Sequence, residues 1–181
     1  MSLPSAVFLD RDGTLIEDTG YIRDPAHVRL HNGAASALAR LNAAGIPVIV
    51  VTNQSGIARG LLGWDDYRAV QARMEELLAA EGARIDASYV CPHHPSITGP
   101  CDCRKPGPRL YRDAGVAQGI ALGRAVWIGD RMSDVEPARA FGGRGVLVLT
   151  GEGAGHRGDA VAAGFDTAPD FGAAVSLVLG S

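Results

Sequence analysis

The chain has 181 residues, of which 46% are hydrophobic and 20% charged, with a formal net charge of −3. This composition suits one globular domain and excludes a disordered or fibrous chain. The acidic balance gives no basic footprint for nucleic acid or an anionic membrane, no apolar run approaches the ~18 residues of a membrane span, and the N-terminus shows no signal-like pattern.

In chain order, residues 6–9 read as a strand cut off by Asp10-Arg11-Asp12-Gly13-Thr14. A helix is expected over 33–44, with Leu38 and Leu41 inward, then a buried strand over 46–51. Helical periodicity runs over 64–81 through Tyr67, Val70, Met74, Leu77 and Leu78. A short strand over 87–90 leads into a Cys/His/Pro-rich loop from Cys91 to Lys105, and Pro108 suits the first position of the next helix. Residues 125–128 form a strand, 133–140 a helix and 145–149 a last strong strand. From Gly151 onward the pattern reads as a Gly-rich loop and a terminal helix over 171–179.

Strands alternating with helices at this spacing imply an α/β fold, a doubly wound, Rossmann-like parallel sheet in a three-layer α/β/α arrangement. With strands ordered 3-2-1-4-5, the switch point lies between the first and fourth strands, where such sheets bind ligands beyond the strand carboxyl ends. The first strand ends at Asp10 and the fourth at Gly129-Asp130. A turn accounts for Asp12-Gly13 but not for acidic residues at the ends of buried strands. Carboxylates gathered there need a cation, and hard oxygen donors without His or Cys suit Mg²⁺ beside a phosphate.

Two counts sharpen this picture. Sixteen of the 17 basic residues are Arg, so Lys105 is the only lysine. All three cysteines fall in Cys91-x-His93-x₇-Cys101-x-Cys103. Three thiols and an imidazole supply the four ligands of a closed structural zinc site, with His94 as a substitute for His93; buried free thiols are the alternative, and a Cys101–Cys103 disulfide would be strained. A zinc-tied loop would hold the adjoining Arg104 and Lys105 in place.

Asp10-x-Asp12-Gly13-Thr14, Thr52, Lys105 and Gly129-Asp130-x-x-x-Asp134 resemble the four ordered motifs of the haloacid dehalogenase (HAD) phosphatases, over roughly residues 6–150. The resemblance implies an aspartyl-phosphate mechanism, with Asp10 as nucleophile and Asp12 as general acid, then base. It gives Mg²⁺ to Asp10, the Asp12 carbonyl and Asp130, the transferring phosphate to Thr52 and Lys105, and an orienting role to Asp134.

Within that superfamily the zinc loop followed by Arg104-Lys105-Pro106 is similar to two families, the D-glycero-D-manno-heptose 1,7-bisphosphate 7-phosphatases and the histidinol-phosphate phosphatases. Thr52-Asn53-Gln54-Ser55-Gly56-Ile57-Ala58-Arg59-Gly60 and Asp18-Thr19-Gly20-Tyr21 resemble the heptose family. By that likeness Asp18, Thr19, Gly20, Tyr21 and Arg104 contact the sugar and its distal phosphate. Thr52, Asn53, Gln54, Ser55 and Lys105 hold the transferring phosphate, and Arg131 sits beside Asp130. The implied reaction removes the C7 phosphate in lipopolysaccharide core biosynthesis, with the β anomer expected and the α anomer and histidinol phosphate as alternatives.

A single domain over 1–181 is expected, with only loops 15–32 and 53–66 over the site in place of a cap domain. The expected partner is a small phosphorylated sugar, with no nucleic acid or membrane, and the expected state is a cytoplasmic monomer. Two readings of another class are a phospho-receiver modified on Asp10 and a zinc-centred interaction module. Neither needs both Asp12 and a zinc-tied Arg-Lys pair, and the module leaves Asp10 and Asp130 unexplained.

Overall fold

The structure, a computed structural model, describes residues 3–180; the outermost residues of the expected 1–181 domain lie outside it. Six parallel strands run in the order β3-β2-β1-β4-β5-β6: β1 (Val7–Leu9), β2 (Val48–Asn53), β3 (Ala87–Cys91), β4 (Val126–Gly129), β5 (Arg144–Val148) and β6 (Asp166–Ala168). The helices are α1 (Ala34–Ala43), α2 (Trp64–Ala80), α3 (Pro95–Thr98), α4 (Arg109–Gln118), α5 (Met132–Val135), α6 (Pro137–Phe141), α7 (Gly153–Ala162) and α8 (Phe171–Leu179).

The two-residue period of the strands divides their apolar side chains between two cores. Val7 and Leu9 of β1, Val48 and Val50 of β2, and Val126 and Ile128 of β4 face a core closed by α1, α2 and α8. Phe8, Ile49, Val51 and Trp127 face the opposite core with Leu110, Tyr111 and Ala114 of α4. β1, β2 and β4 are therefore buried on both faces, which is why these segments read as unbroken apolar runs. Phe8 joins the aromatic set of the second core, stacked on Trp127 at 5.1 Å and edge-on to Tyr111 at 5.2 Å. That set fixes the middle of β1 directly below the strand tip.

The expected doubly wound α/β sheet is present, with switch-point strands β1 and β4 paired Val7↔Val126 through Leu9↔Ile128. Four local expectations need correction. The helix expected over 133–140 is two short ones, because Pro137 has no N–H to continue α5 and instead starts α6. Pro108 sits at the N-cap of α4, one residue before its first turn. Residues 95–98 of the expected loop form a helical turn whose N-cap is His94. The Gly-rich stretch after Gly151 is not a loop: α7 forms there, followed by the sixth strand. Glycine weakens a helix by up to ~1 kcal/mol per residue relative to alanine. Here the helix is held by packing, with Ala160 buried against Val135 and Leu147. β6 is three residues long and pairs with β5 from Val146↔Asp166 to Val148↔Ala168; an edge strand that short carries no periodic signal.

Segment 15–32 has no helix beyond a 3₁₀ turn over Pro25–His27 and is pinned by bridges from Ile16 to Asp12 and to Leu30. Among the described residues no helix is long and apolar enough to cross a membrane. We expect Phe8→Ala to lower the unfolding free energy by about 3–5 kcal/mol. Val116→Ala, on the exposed face of α4, should stay within about 0.5 kcal/mol, both read from urea denaturation midpoints.

Candidate active site

Asp10 follows the last residue of β1, and its N–H donates to the Ile128 carbonyl at 3.0 Å, extending the ladder one step beyond the strand. Asp130 occupies the same place after β4. The chain then turns sharply: Gly13 has φ 86°, and the Arg11 carbonyl accepts from the N–H groups of Leu15 and Ile16. A Cβ at Gly13, or at Gly151 with φ 54°, would run into the Asp130 carboxylate. Glycine at both positions lets two loops close over one buried acid.

β2 delivers Thr52, Asn53 and Gln54. Asn53 grips the backbone of Lys105 from both sides: its Oδ1 accepts from the Lys105 N–H at 3.0 Å and its Nδ2 donates to the Lys105 carbonyl at 3.3 Å. The Lys105 ammonium then reaches Asp10 Oδ1 at 2.6 Å, the Val51 carbonyl at 2.7 Å and Asp134 Oδ1 at 2.8 Å. Asp134 Oδ2 accepts from the Arg131 N–H at 2.9 Å and so also caps α5. Thr52 lies 1% exposed beneath Gln54, its Oγ1 accepting from Gln54 Nε2 at 2.9 Å, which leaves its own O–H free to donate.

Electrostatics set the character of this corner. Burial pushes the Asp10 carboxyl well above its ordinary range, Lys105 pulls it back in part, and Asp134, Asp130 and Asp12 push it up again. Burial, with Asp134 adding to it, raises Asp130 to about 6 even though it accepts a hydrogen bond from the Glu152 N–H. Burial would lower Lys105, but Asp10 and Asp134 more than offset this and raise it. Oxygens of Asp10, Asp130 and Asp134 lie within 4.8 Å of one another with this single ammonium among them. Asp130 Oδ1 is buried and has no hydrogen-bond partner, whereas both oxygens of Asp134 are engaged. A hard divalent cation fits beside Asp10 and Asp130, while the two Asp134 oxygens are already engaged by Lys105 and the Arg131 N–H.

A cleft of about 650 Å³ opens over these strand ends. Asp10, Asp12, Asp18, Gly20, Tyr21, Asn53, Gln54, Ser55, Arg104, Lys105 and Arg131 all line it. Thr19, Thr52 and Asp130 are not among its lining residues, the first being exposed and the other two buried. Three wall residues carried no sequence signal: Ser133, Gly151 and Glu152. The last two belong to the stretch that reads from sequence as a Gly-rich loop, yet the loop after β5 is held against the site. The Glu152 N–H donates to Asp130 Oδ2 at 2.8 Å and Thr150 Oγ1 to the Gly13 carbonyl at 2.7 Å. Arg131 spans the rim, its Nη2 bonded to Glu152 at 2.8 Å and to Asp18 at 3.4 Å.

Cys91, His93, Cys101 and Cys103 converge, with ligand atoms within 4.8 Å of one another and all three thiols free. Five of the six separations run from 3.1 Å (Cys91–Cys103 and His93 Nδ1–Cys103) to 3.8 Å (Cys91–Cys101 and Cys91–His93 Nδ1). The edge of a tetrahedron around Zn²⁺ with Zn–S of about 2.3 Å is about 3.8 Å, so this donor set fits zinc. Burial pushes the Cys91 thiol up to about 12. Cys101 also feels burial, but hydrogen bonds from the Arg104 N–H and its neighbours bring it down to about 7. His94 is not in the cluster. Its Nδ1 accepts from the Ser96 N–H and its Nε2 meets Arg59 Nη2 at 2.7 Å.

The HAD-hydrolase-like family model matches residues 102–177. A Mesorhizobium japonicum protein named D-glycero-beta-D-manno-heptose-1,7-bisphosphate 7-phosphatase is 41% identical over 161 residues, covering 86% of this chain and 74% of the relative. A Pseudomonas aeruginosa protein of the same name is 38% identical over 97% of this chain and 98% of its own length. Among solved structures, the D,D-heptose 1,7-bisphosphate phosphatase of B. bronchiseptica, complexed with magnesium and phosphate, superposes with a TM-score of 0.86 at 32% identity, covering 97% of this chain and 98% of that one. The chain belongs to the D-glycero-beta-D-manno-heptose-1,7-bisphosphate 7-phosphatase family of HAD-like hydrolases.

Proposed function

We propose that the chain, acting as a single catalytic unit, hydrolyses the C7 phosphate of D-glycero-β-D-manno-heptose 1,7-bisphosphate in a Mg²⁺-dependent reaction. The product keeps its 1-phosphate for nucleotidyl activation toward lipopolysaccharide core sugars. The observation that carries this is Asp10, held by Lys105 at a strand tip and open to a cleft that also presents Asp12 and two arginines.

An Asp10 oxygen attacks phosphorus while the bond to the C7 oxygen breaks, and Asp12 gives that oxygen a proton. Water then attacks the phosphoryl-Asp10 ester, Asp12 takes its proton, and Asp10 leaves as carboxylate. Lys105 balances charge on the phosphoryl oxygens, and Thr52, the Asn53 backbone and Ser55 hold them by hydrogen bonds, whereas the Gln54 amide, expected among them, is taken up by Asp12 and Thr52. Asp10, the Asp12 carbonyl and Asp130 hold Mg²⁺, which when bound screens the carboxylate from the phosphate it must approach.

Arg104 and Arg131, with Asp18 to Tyr21, bind the sugar and its distal phosphate. A guanidinium fork matches a phosphate dianion, and histidinol phosphate has no second phosphate to offer them. Zinc on Cys91, His93, Cys101 and Cys103 ties down the loop that leads into Arg104 and Lys105. Its contribution is structural, because four protein ligands leave no open coordination position. We further infer that the chain is a cytoplasmic monomer acting on this small sugar, without nucleic acid or membrane partners.

Phosphate release in Mg²⁺ tests the reaction. We expect kcat/KM for the β-heptose bisphosphate to exceed that for its α anomer and for histidinol phosphate. Asp10→Asn should cost at least about 10³-fold in turnover while keeping the thermal unfolding profile. A preference for histidinol phosphate would overturn the substrate assignment, and activity in the variant would remove Asp10 as nucleophile. Elemental analysis should find about one zinc per chain, and Cys103→Ala should lose zinc and activity together. Full activity in zinc-free protein would contradict the role given to the loop.

A further inference from the structure

The residue between the two motif aspartates is the largest charged side chain fully buried in the protein: Arg11 is 1% exposed. Its guanidinium does not turn to solvent or to the sugar side of the cleft. It lies 5.5 Å from the centre of the Tyr67 ring and directs its fork onto Asp12, with Nε donating to Oδ2 at 3.0 Å and Nη2 to Oδ1 at 3.1 Å. From the other side Gln54 Nε2 donates to Asp12 Oδ2 at 2.7 Å. Gln54 is itself fixed, since the same nitrogen bonds Thr52 Oγ1 and its backbone N–H donates to the Cys91 carbonyl at 2.8 Å. Arg11 Nη1 is buried without a partner among the described residues. A buried guanidinium that leaves one donor unpaired is a poor device for stability, and all its directed bonds go to one carboxylate.

The two oxygens of Asp12 are thereby made unequal. Oδ2 accepts from both Arg11 Nε and Gln54 Nε2, which fills the two lone pairs of a carboxylate oxygen. Oδ1 accepts only from Arg11 Nη2 and keeps one lone pair. We propose that Arg11 and Gln54 form a clamp that positions Asp12 for proton transfer and assigns the proton to Oδ1. The clamp rests on Asp12 being the acid and base of the reaction. In the first displacement the Oδ1 proton passes to the C7 oxygen as the P–O bond breaks and the Asp10–phosphorus bond forms. In the second, Oδ1 takes a proton from water as its oxygen bonds phosphorus and Asp10 leaves. The fork is bidentate and flat, so it fixes the rotation of the carboxylate as well as its place. A lysine ammonium would keep the charge but lose that control.

The test compares two leaving groups. The heptose C7 alkoxide needs a proton to depart, whereas p-nitrophenolate departs without one. For Arg11→Lys and for Gln54→Met, the ratio of kcat/KM on the heptose bisphosphate to kcat/KM on p-nitrophenyl phosphate is expected to fall by about 10- to 100-fold, part of the range open to general acid catalysis. A proportional loss on both substrates would mean that the pair only supports the fold, and would overturn the proposal. Gln54→Met carries the test alone if Arg11→Lys does not fold. Asp12→Asn separates the two levels. If it shifts the ratio and the clamp variants do not, the clamp is wrong and Asp12 keeps its role; if it leaves the ratio unchanged, the role of Asp12 fails and the clamp with it.

Discussion

The structure turns on one buried ammonium. Lys105 sits 5% exposed among Asp10, Asp134 and the Val51 carbonyl, where three carboxylates would otherwise crowd at the ends of two neighbouring strands. Charges in such a place are tolerable only when paired and hydrogen-bonded, and removing one partner of a buried pair costs about 3–5 kcal/mol. The ammonium therefore acts on the fold and on the chemistry at once. It makes an Asp10 carboxylate tolerable at a strand tip, and it leaves Asp130 with an unmatched oxygen that calls for a second cation. Arginine is not its equivalent, because a planar fork spreads its donors whereas one compact ammonium meets all three partners here.

Everything around that ammonium serves to place it. Asn53 holds the Lys105 backbone from the end of β2, so the sheet itself decides where the side chain begins. The cysteine loop approaches from the other side, and Gln54 and Cys91 are linked through their backbones. Arg59 meets His94 at the N-cap of α3, joining the loop after β2 to the loop after β3. These two loops both contribute to the wall of the cleft. They are braced against each other, and the cleft is defined by short connections on a rigid sheet.

The legible part of this protein was what chemistry and period write locally. β1, β2, β4 and β5 are buried on both faces, so each shows as an apolar run with a polar break at its carboxyl end. Asp10 and Asp130 stand out because a turn does not require acids at the ends of buried strands, Asp12 through the Asp-x-Asp-Gly-Thr resemblance, and Lys105 because no other lysine exists in the chain. The cysteine spacing identified four ligands but left His93 and His94 open, and only the side-chain directions separated them. α7 is not legible because its glycines argue against a helix locally, whereas the contacts of Ala160 that hold it come from β5 and α5.

The amino-acid sequence by itself determined the fold class, the order of the strand-tip motifs and, the choice between His93 and His94 aside, the residues of both candidate metal sites. Each of these depends on residue type and spacing along one stretch of chain. Only the tertiary structure decided that Glu152 closes over Asp130, that Arg131 bridges Asp18 and Glu152, and that Arg11 and Gln54 grip Asp12 together. Arg11 reads from sequence as one more arginine among sixteen. Its meaning arises where β1 and β2 end side by side, because parallel pairing brings residues 42 positions apart within a hydrogen bond of each other, and no local pattern records that distance.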